Sequence, residues 1–123
     1  MPNRQFIKLT RSDIEAIDRA ILYIRKYFCY NISTESIAEE VGLNVRKLQF
    51  GIKKRTSQTI HQFQLTLRID NSHRELIETK LPIKILASNN GFKNASQFGK
   101  IFKTKFGMSP SKYRTQKALS KTT

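Results

Sequence analysis

A chain of 123 residues with 38% hydrophobic content can bury one small core, or two very small ones sharing a helix, and a large ligand pocket is not expected. Twenty-three Lys and Arg against nine acids give a formal net charge of +14, a field suited to a polyanion. Cys29 is the only cysteine, which excludes an internal disulfide and a CxxC zinc site and suits a reducing cytoplasm. No apolar run reaches the length of a membrane span, and residues 1–8 lack the hydrophobic block of a signal peptide, so a cytoplasmic protein without membrane contact is expected. The sequence shows no carboxylate pair, Ser/His/Asp arrangement, phosphate-binding glycine loop or metal-ligand cluster. It therefore predicts no enzyme, no cofactor and no metal; His61 and His73 are read as surface residues and Cys29 as a buried small apolar one.

Residues 1–11 are polar and basic and are read as a flexible lead-in. Ser12 followed three residues later by Glu15 has the form of a capping box, and Ile14, Ile17, Ile21, Ile24 and Phe28 recur at helical spacing. This predicts an amphipathic helix over about 13–27, its apolar stripe packed on the next two helices. Ser33 or Thr34 caps the second helix, which runs to about Val41 and buries Ile37, Ala38 and Val41. Gly42 ends it, because a left-handed backbone at a helix end is cheap only without a Cβ. Asn44 caps a third helix over about 45–55, with Leu48 and Ile52 inward and Arg46, Gln49, Phe50 and Lys53 on the opposite face.

A long helix is predicted from about Thr59 to Lys80, roughly 33 Å at 1.5 Å per residue, close to the turn of a DNA duplex. Pro82 opens the next helix, which runs to about Asn89 and ends at Gly91. Asn94 caps a sixth helix over about 95–105, with Phe98, Ile101, Phe102 and Phe106 inward and Ser96, Gly99, Lys100 and Lys103 outward. Ser109 caps a short last helix with Pro110 at its first position and Tyr113 buried. The stretch from about Gln116 to Thr123 has no apolar periodicity and is read as a disordered tail.

Residues 35–54 and 84–103 are two copies of one helix-turn-helix unit. Ala38 matches Ala87, Gly42 matches Gly91, Leu48 matches Phe98, Ile52 matches Phe102, Lys53 matches Lys103 and Phe63 matches Tyr113. One extra residue separates glycine and second helix in the later copy. In such a unit the second helix usually reads the DNA major groove. The charges agree: all nine acids fall within 13–18, 35–40 and 70–78, and the spans 41–69 and 79–123 carry positive charge alone.

These residues resemble the DNA-binding domain of the AraC/XylS family of bacterial transcription regulators, over about 33–114. The most specific part is Gly91-Phe92, Gln97-Phe98, Ile101-Phe102-Lys103 and then Lys105 to Arg114, reading KFGMSPSKYR. The resemblance implies an all-α domain of about seven helices: a first helix-turn-helix subdomain over 12–57, a linker helix over 59–81 and a second subdomain over 82–115. It implies two reading helices in successive major grooves of double-stranded promoter DNA, with RNA polymerase as a possible further partner. Nearly all of the ordered chain is consumed by this domain, so an effector or dimerisation domain is expected to be absent from it, the chain being read as a fragment of a longer regulator or else as a small regulator controlled by its abundance.

Carried over by position, the base-reading residues are Arg46, Gln49, Phe50, Ala95, Ser96, Gly99 and Lys100, and the phosphate-binding residues are Lys47, Lys53, Arg68, Asn94, Lys103, Ser109 and Lys112. Arg46 suits a bidentate contact to guanine, and Gln49 suits adenine. Phe50 either meets thymine methyls or packs. Ala95 and Gly99 offer almost no side chain, so the second unit is expected to add more affinity than discrimination. Gly51 departs from the usual larger apolar residue, and is tolerated in a helix interior where another helix crosses closely. Asn90, where Val41 stands in the first copy, is either exposed or bonded near the turn. Ser57 replaces the glycine found at Gly107. The alternative to a sequence-specific regulator is a nonspecific architectural nucleic-acid-binding protein.

Overall fold

The computed structural model describes residues 7–121; residues 1–6 of the lead-in and 122–123 of the tail lie outside it. The described chain is all-helical, in the order α1 (Arg11–Tyr27), α2 (Thr34–Val41), α3 (Val45–Thr56), α4 (Ile60–Glu78), α5 (Ile83–Asn89), α6 (Ala95–Phe106) and α7 (Pro110–Lys121). It divides into two compact units, one holding α1 to α3 and the start of α4 through Gln64, the other holding Phe28–Asn31 and everything from Leu65 onward.

In the first unit, α1 begins two residues before Asp13. Thr10 and Asp13 cap it reciprocally: the Thr10 amide donates to Asp13 Oδ2 at 2.9 Å and the Asp13 amide to Thr10 Oγ1 at 3.0 Å. The Ser12/Glu15 pair is therefore not the cap. Lys47 Nζ donates to the same Asp13 oxygen at 3.0 Å. The Thr10 amide first, and Lys47 after it, hold the Asp13 carboxyl below its ordinary value. The buried stripe of α1 is Ala16, Ile17, Ala20 and Ile24. Ile14, expected inside, is 43% exposed, because the two alanines bring the helix close and turn Ile14 outward.

Ser33 Oγ accepts the Ser36 amide to open α2, and Gly42 closes it at φ 75°. Asn44 Oδ1 accepts the Lys47 amide at 2.8 Å to open α3. Leu48 and Ile52 are fully buried. A Cβ built on Gly51 would stand 2.6 Å from Ile17 Cγ1, so α1 crosses α3 against bare backbone. Ser57 ends α3 with φ 63°, the left-handed conformation that Gly107 adopts at φ 84° in the second unit.

α4 is shorter than predicted at both ends. Thr59 stays outside it as a cap paired with Gln62, and Thr79 Oγ1 bonds the Glu75 carbonyl and the Leu81 amide, which turns the chain out of the helix before Lys80. Pro82 is the cap residue of α5 and not its first helical residue.

The second unit packs around Ile69, Leu76, Leu86, Ala87, Phe92, Phe98 and Phe102. Asn90 is fully buried and bonds beyond its turn: it accepts from Asn71 Nδ2 at 2.7 Å and donates to Glu75 Oε1 at 2.7 Å and the Leu86 carbonyl at 2.9 Å. Every polar atom of its amide is thus placed, which is what burial requires. His73 is not a surface residue. It stacks on Phe106 with ring centroids 4.4 Å apart, and its Nε2 lies 2.9 Å from the Tyr113 hydroxyl. Burial holds its pKa below the ordinary histidine value. Tyr113 and Cys29 are half-buried, not buried. The last helix continues to Lys121, where a tail without order was expected from Gln116; residues 115–119 are exposed, so no apolar pattern marked this stretch.

Candidate nucleic-acid interface

The outer edge of α3 is set by its cap and its buried side. Asn44 fixes the first turn, Leu48 and Ile52 are turned in, and at 3.6 residues per turn Arg46, Gln49 and Lys53 come to the far side. All three are exposed. Among the described residues the Arg46 side chain makes no hydrogen bond or ion pair, so its guanidinium is available to an external acceptor. Phe50 is half-buried, with Lys54 Nζ 5.7 Å from the centre of its ring.

The matching edge of α6 is built the same way on Phe98 and Phe102. Ser96, Lys100 and Lys103 are exposed, and Ala95 and Gly99 are half-buried between them. A Cβ at Gly99 would meet nothing within 4 Å, so the packing of the chain does not demand glycine there.

The expected phosphate set divides. Lys53, Lys103 and Lys112 are exposed. Asn94 and Ser109 cap α6 and α7 through the Gln97 and Lys112 amides, so each lies at a helix N-terminus with exposed surroundings. Lys47 is engaged by Asp13. Arg68 is committed elsewhere: its Nε donates to the Phe28 carbonyl at 2.7 Å and its terminal nitrogen to the Tyr30 carbonyl at 3.0 Å, and desolvation holds its pKa below the ordinary arginine value. It is a clamp for the 28–31 loop. Gly91, at φ 83°, belongs to the same clamp, since a Cβ there would lie 2.7 Å from the Cys29 carbonyl.

Beside the α3 edge lies a cleft that the linear pattern did not single out. Its volume is about 380 Å³, and Thr34, Gln49, Lys53, Thr59, Ile60 and His61 line it. The repeat register carried the signal: Phe63 matches Tyr113, so Thr59 and His61 stand where Ser109 and Ser111 stand in the second unit. No group of three or more His, Cys, Asp or Glu able to hold a metal occurs among the described residues, and no described helix is long and apolar enough to cross a membrane.

A helix-turn-helix domain family matches residues 37–116. The chain belongs to the AraC/XylS family of helix-turn-helix transcription regulators. It is 30% identical over 93 residues to the Msm operon regulatory protein of Streptococcus mutans, a match covering 76% of this chain and 34% of that protein. It is 30% identical over 83 residues to the multiple antibiotic resistance protein MarA of Salmonella typhimurium, covering 68% of this chain and 65% of that one. The chain thus spans about a third of the length of the first of these relatives. Among solved structures, it is similar to the C-terminal domain of AraT, a response regulator from Geobacillus stearothermophilus, with a TM-score of 0.77, 27% identity and coverage of 89% of this chain and 88% of that one. The same fold is seen in the DNA-binding domain of AdpA, solved with a target DNA, with a TM-score of 0.77, 18% identity and coverage of 82% and 91%.

Proposed function

We propose that this AraC/XylS domain binds double-stranded promoter DNA sequence-specifically, with α3 and α6 in successive major grooves. The observation that carries the reading is the pair of matched helical edges, each exposed, free of acids and held by its own capped helix. Lys53, Lys103 and Lys112 displace counterions from phosphates and supply most of the affinity, which carries no sequence information. Discrimination comes mainly from α3, where Arg46 takes a guanine edge and Gln49 an adenine. Phe50 is placed to meet a thymine methyl beside them. On α6, Lys100 and Ser96 reach base edges while Ala95 and Gly99 let the helix backbone approach closely. The Thr34, Thr59 and His61 cleft beside Lys53 suits a backbone phosphate, and Asn94 and Ser109 present helix N-termini to others.

In this reading the domain acts at a promoter in the cytoplasm, with RNA polymerase as a further partner. Selection from a randomised duplex pool tests the DNA reading. The expected product is an asymmetric motif with two blocks of preference about 10 base pairs apart. A pool that binds but never narrows would make the protein architectural, as the nonspecific alternative requires.

A further inference from the structure

The strongest feature that DNA binding leaves unused is on the first unit, along the outer face of α1. Ile14 and Leu22 are 43% and 67% exposed, a large apolar surface for a helix whose inner stripe is already filled. They lie eight residues apart, about 12 Å along the helix and about 80° around it. Each borders a cavity. The one at Ile14 is about 290 Å³, lined by Leu9, Ile17, Gly51 and Lys54. The one at Leu22 is about 510 Å³, lined by Ile21, Arg25, Thr56 and Phe63. The Asp18–Arg55 ion pair, at 3.0 Å, borders both.

The charges around this pair of cavities are specific in sign. Arg25, Lys54 and Arg55 edge them, and Asp18 is the one acid among their lining residues and is already engaged by Arg55. Part-apolar hollows edged by surplus cations suit a helix with apolar residues on one face and acids flanking them. On α3, Gly51 and Arg55 lie nearly opposite Arg46, Gln49 and Lys53 at 3.6 residues per turn, so the groove stays open while that edge is occupied.

We infer that the outer face of α1 is a docking surface for an acidic amphipathic helix of a partner protein, whose two apolar anchors, seven or eight residues apart, fill the Ile14 and Leu22 cavities. A helix laid along α1 brings its i and i+7 side chains about 10 Å apart, matching the two holes. Its carboxylates then meet Arg25 and Lys54.

The inference is tested with a phage-displayed library of short helical peptides on the immobilised 123-residue chain, followed by fluorescence anisotropy of the enriched peptides. Enrichment of Asp/Glu-rich peptides with two large apolar residues at i and i+7 or i+8 is expected. Their affinity should fall tenfold or more in the double variant Ile14→Glu, Leu22→Glu, and severalfold in Lys54→Glu. A saturating duplex of mixed sequence should leave them bound. Helical circular dichroism and duplex affinity of the variants report folding, and Leu22→Ala, too mild to unfold an exposed site, should weaken binding alone. No enrichment, enrichment of basic or uncharged peptides, equal binding to the double variant, or displacement by duplex would each overturn the inference, the last by showing that the peptide merely mimics DNA at the cationic edges.

Discussion

Gly51 and Ile101 hold the same place in the two copies of the helix-turn-helix unit, and the two units are closed differently around them. At Gly51 bare backbone admits Ile17, so the first unit is a mainly aliphatic core, with Phe63 buried in it, sealed by a third helix, α1. At Ile101 the side chain packs against the unit's own core, which is aromatic: Phe92, Phe98 and Phe102 with Phe106, Tyr113 and His73 around them. The capped turn and the outward edge are alike in both. What fixes the second helix of each unit is therefore its cap and its two inward residues, and the rest of the core is free to differ. The edges are alike in position but not in side chain, with Arg46 and Gln49 in one standing where Ser96 and Gly99 stand in the other.

The largest expected effect breaks the aromatic core. Phe102→Ala should cost about 3 to 5 kcal/mol in urea unfolding, since it removes the ring that Phe98, Phe106 and Tyr113 all contact. Next comes the aliphatic side of the comparison: Gly51→Ala should destabilise by about 1 to 3 kcal/mol despite the better helix former, because the new methyl must displace Ile17. Gly99→Ala sharpens the contrast. With nothing within 4 Å it should stabilise by about 0.5 to 1 kcal/mol, yet weaken duplex binding in the same preparation. A Gly99→Ala variant that is more stable and binds as well would remove the close approach proposed for α6.

The smallest effect is a pH dependence of the second unit in the histidine range. His73 has a folded-state pKa below its ordinary 6.5, so the unfolded chain takes up the proton first as pH falls. Its contribution to stability is fully present above about 6.5 and is lost as pH drops from there through the folded pKa. Thermal melts at stepped pH should show this slope, and His73→Phe, which keeps the stack on Phe106, should remove it.

Much of this was legible in the sequence because glycine, asparagine and proline mark helix ends by local chemistry. Gly42, Asn44, Asn94 and Pro110 act within a few residues of themselves, and each stands where the pattern put it. What was misread depends on distant partners. Thr10/Asp13 and Ser12/Glu15 offer overlapping cap signals, and Asp13 is further fixed by Lys47, 34 residues away. The α1 stripe was drawn through bulky isoleucines, whereas Ala16 and Ala20 make the close face and leave Ile14 outside. Arg68 looked like a phosphate ligand by charge and position. Its partners are main-chain carbonyls 38 and 40 residues earlier, which no local pattern encodes. Asn90 was visible as an anomaly, but the side chains that satisfy it lie on α4. At the candidate site, exposure of Arg46, Gln49, Ser96 and Lys100 came from helical period alone, while the cleft at His61 required the third dimension.

The most direct measurement is the ratio of affinities for a selected duplex and a random one, taken across a salt series for the wild-type chain, Arg46→Ala and Lys103→Ala. The ratio should fall by about 5- to 150-fold in Arg46→Ala, equivalent to about 1 to 3 kcal/mol, with random-duplex affinity nearly unchanged. In Lys103→Ala both affinities should fall together, with a salt slope shallower by about one. A wild-type ratio near one, or an Arg46→Ala loss equal on both duplexes, would contradict base reading by the α3 edge.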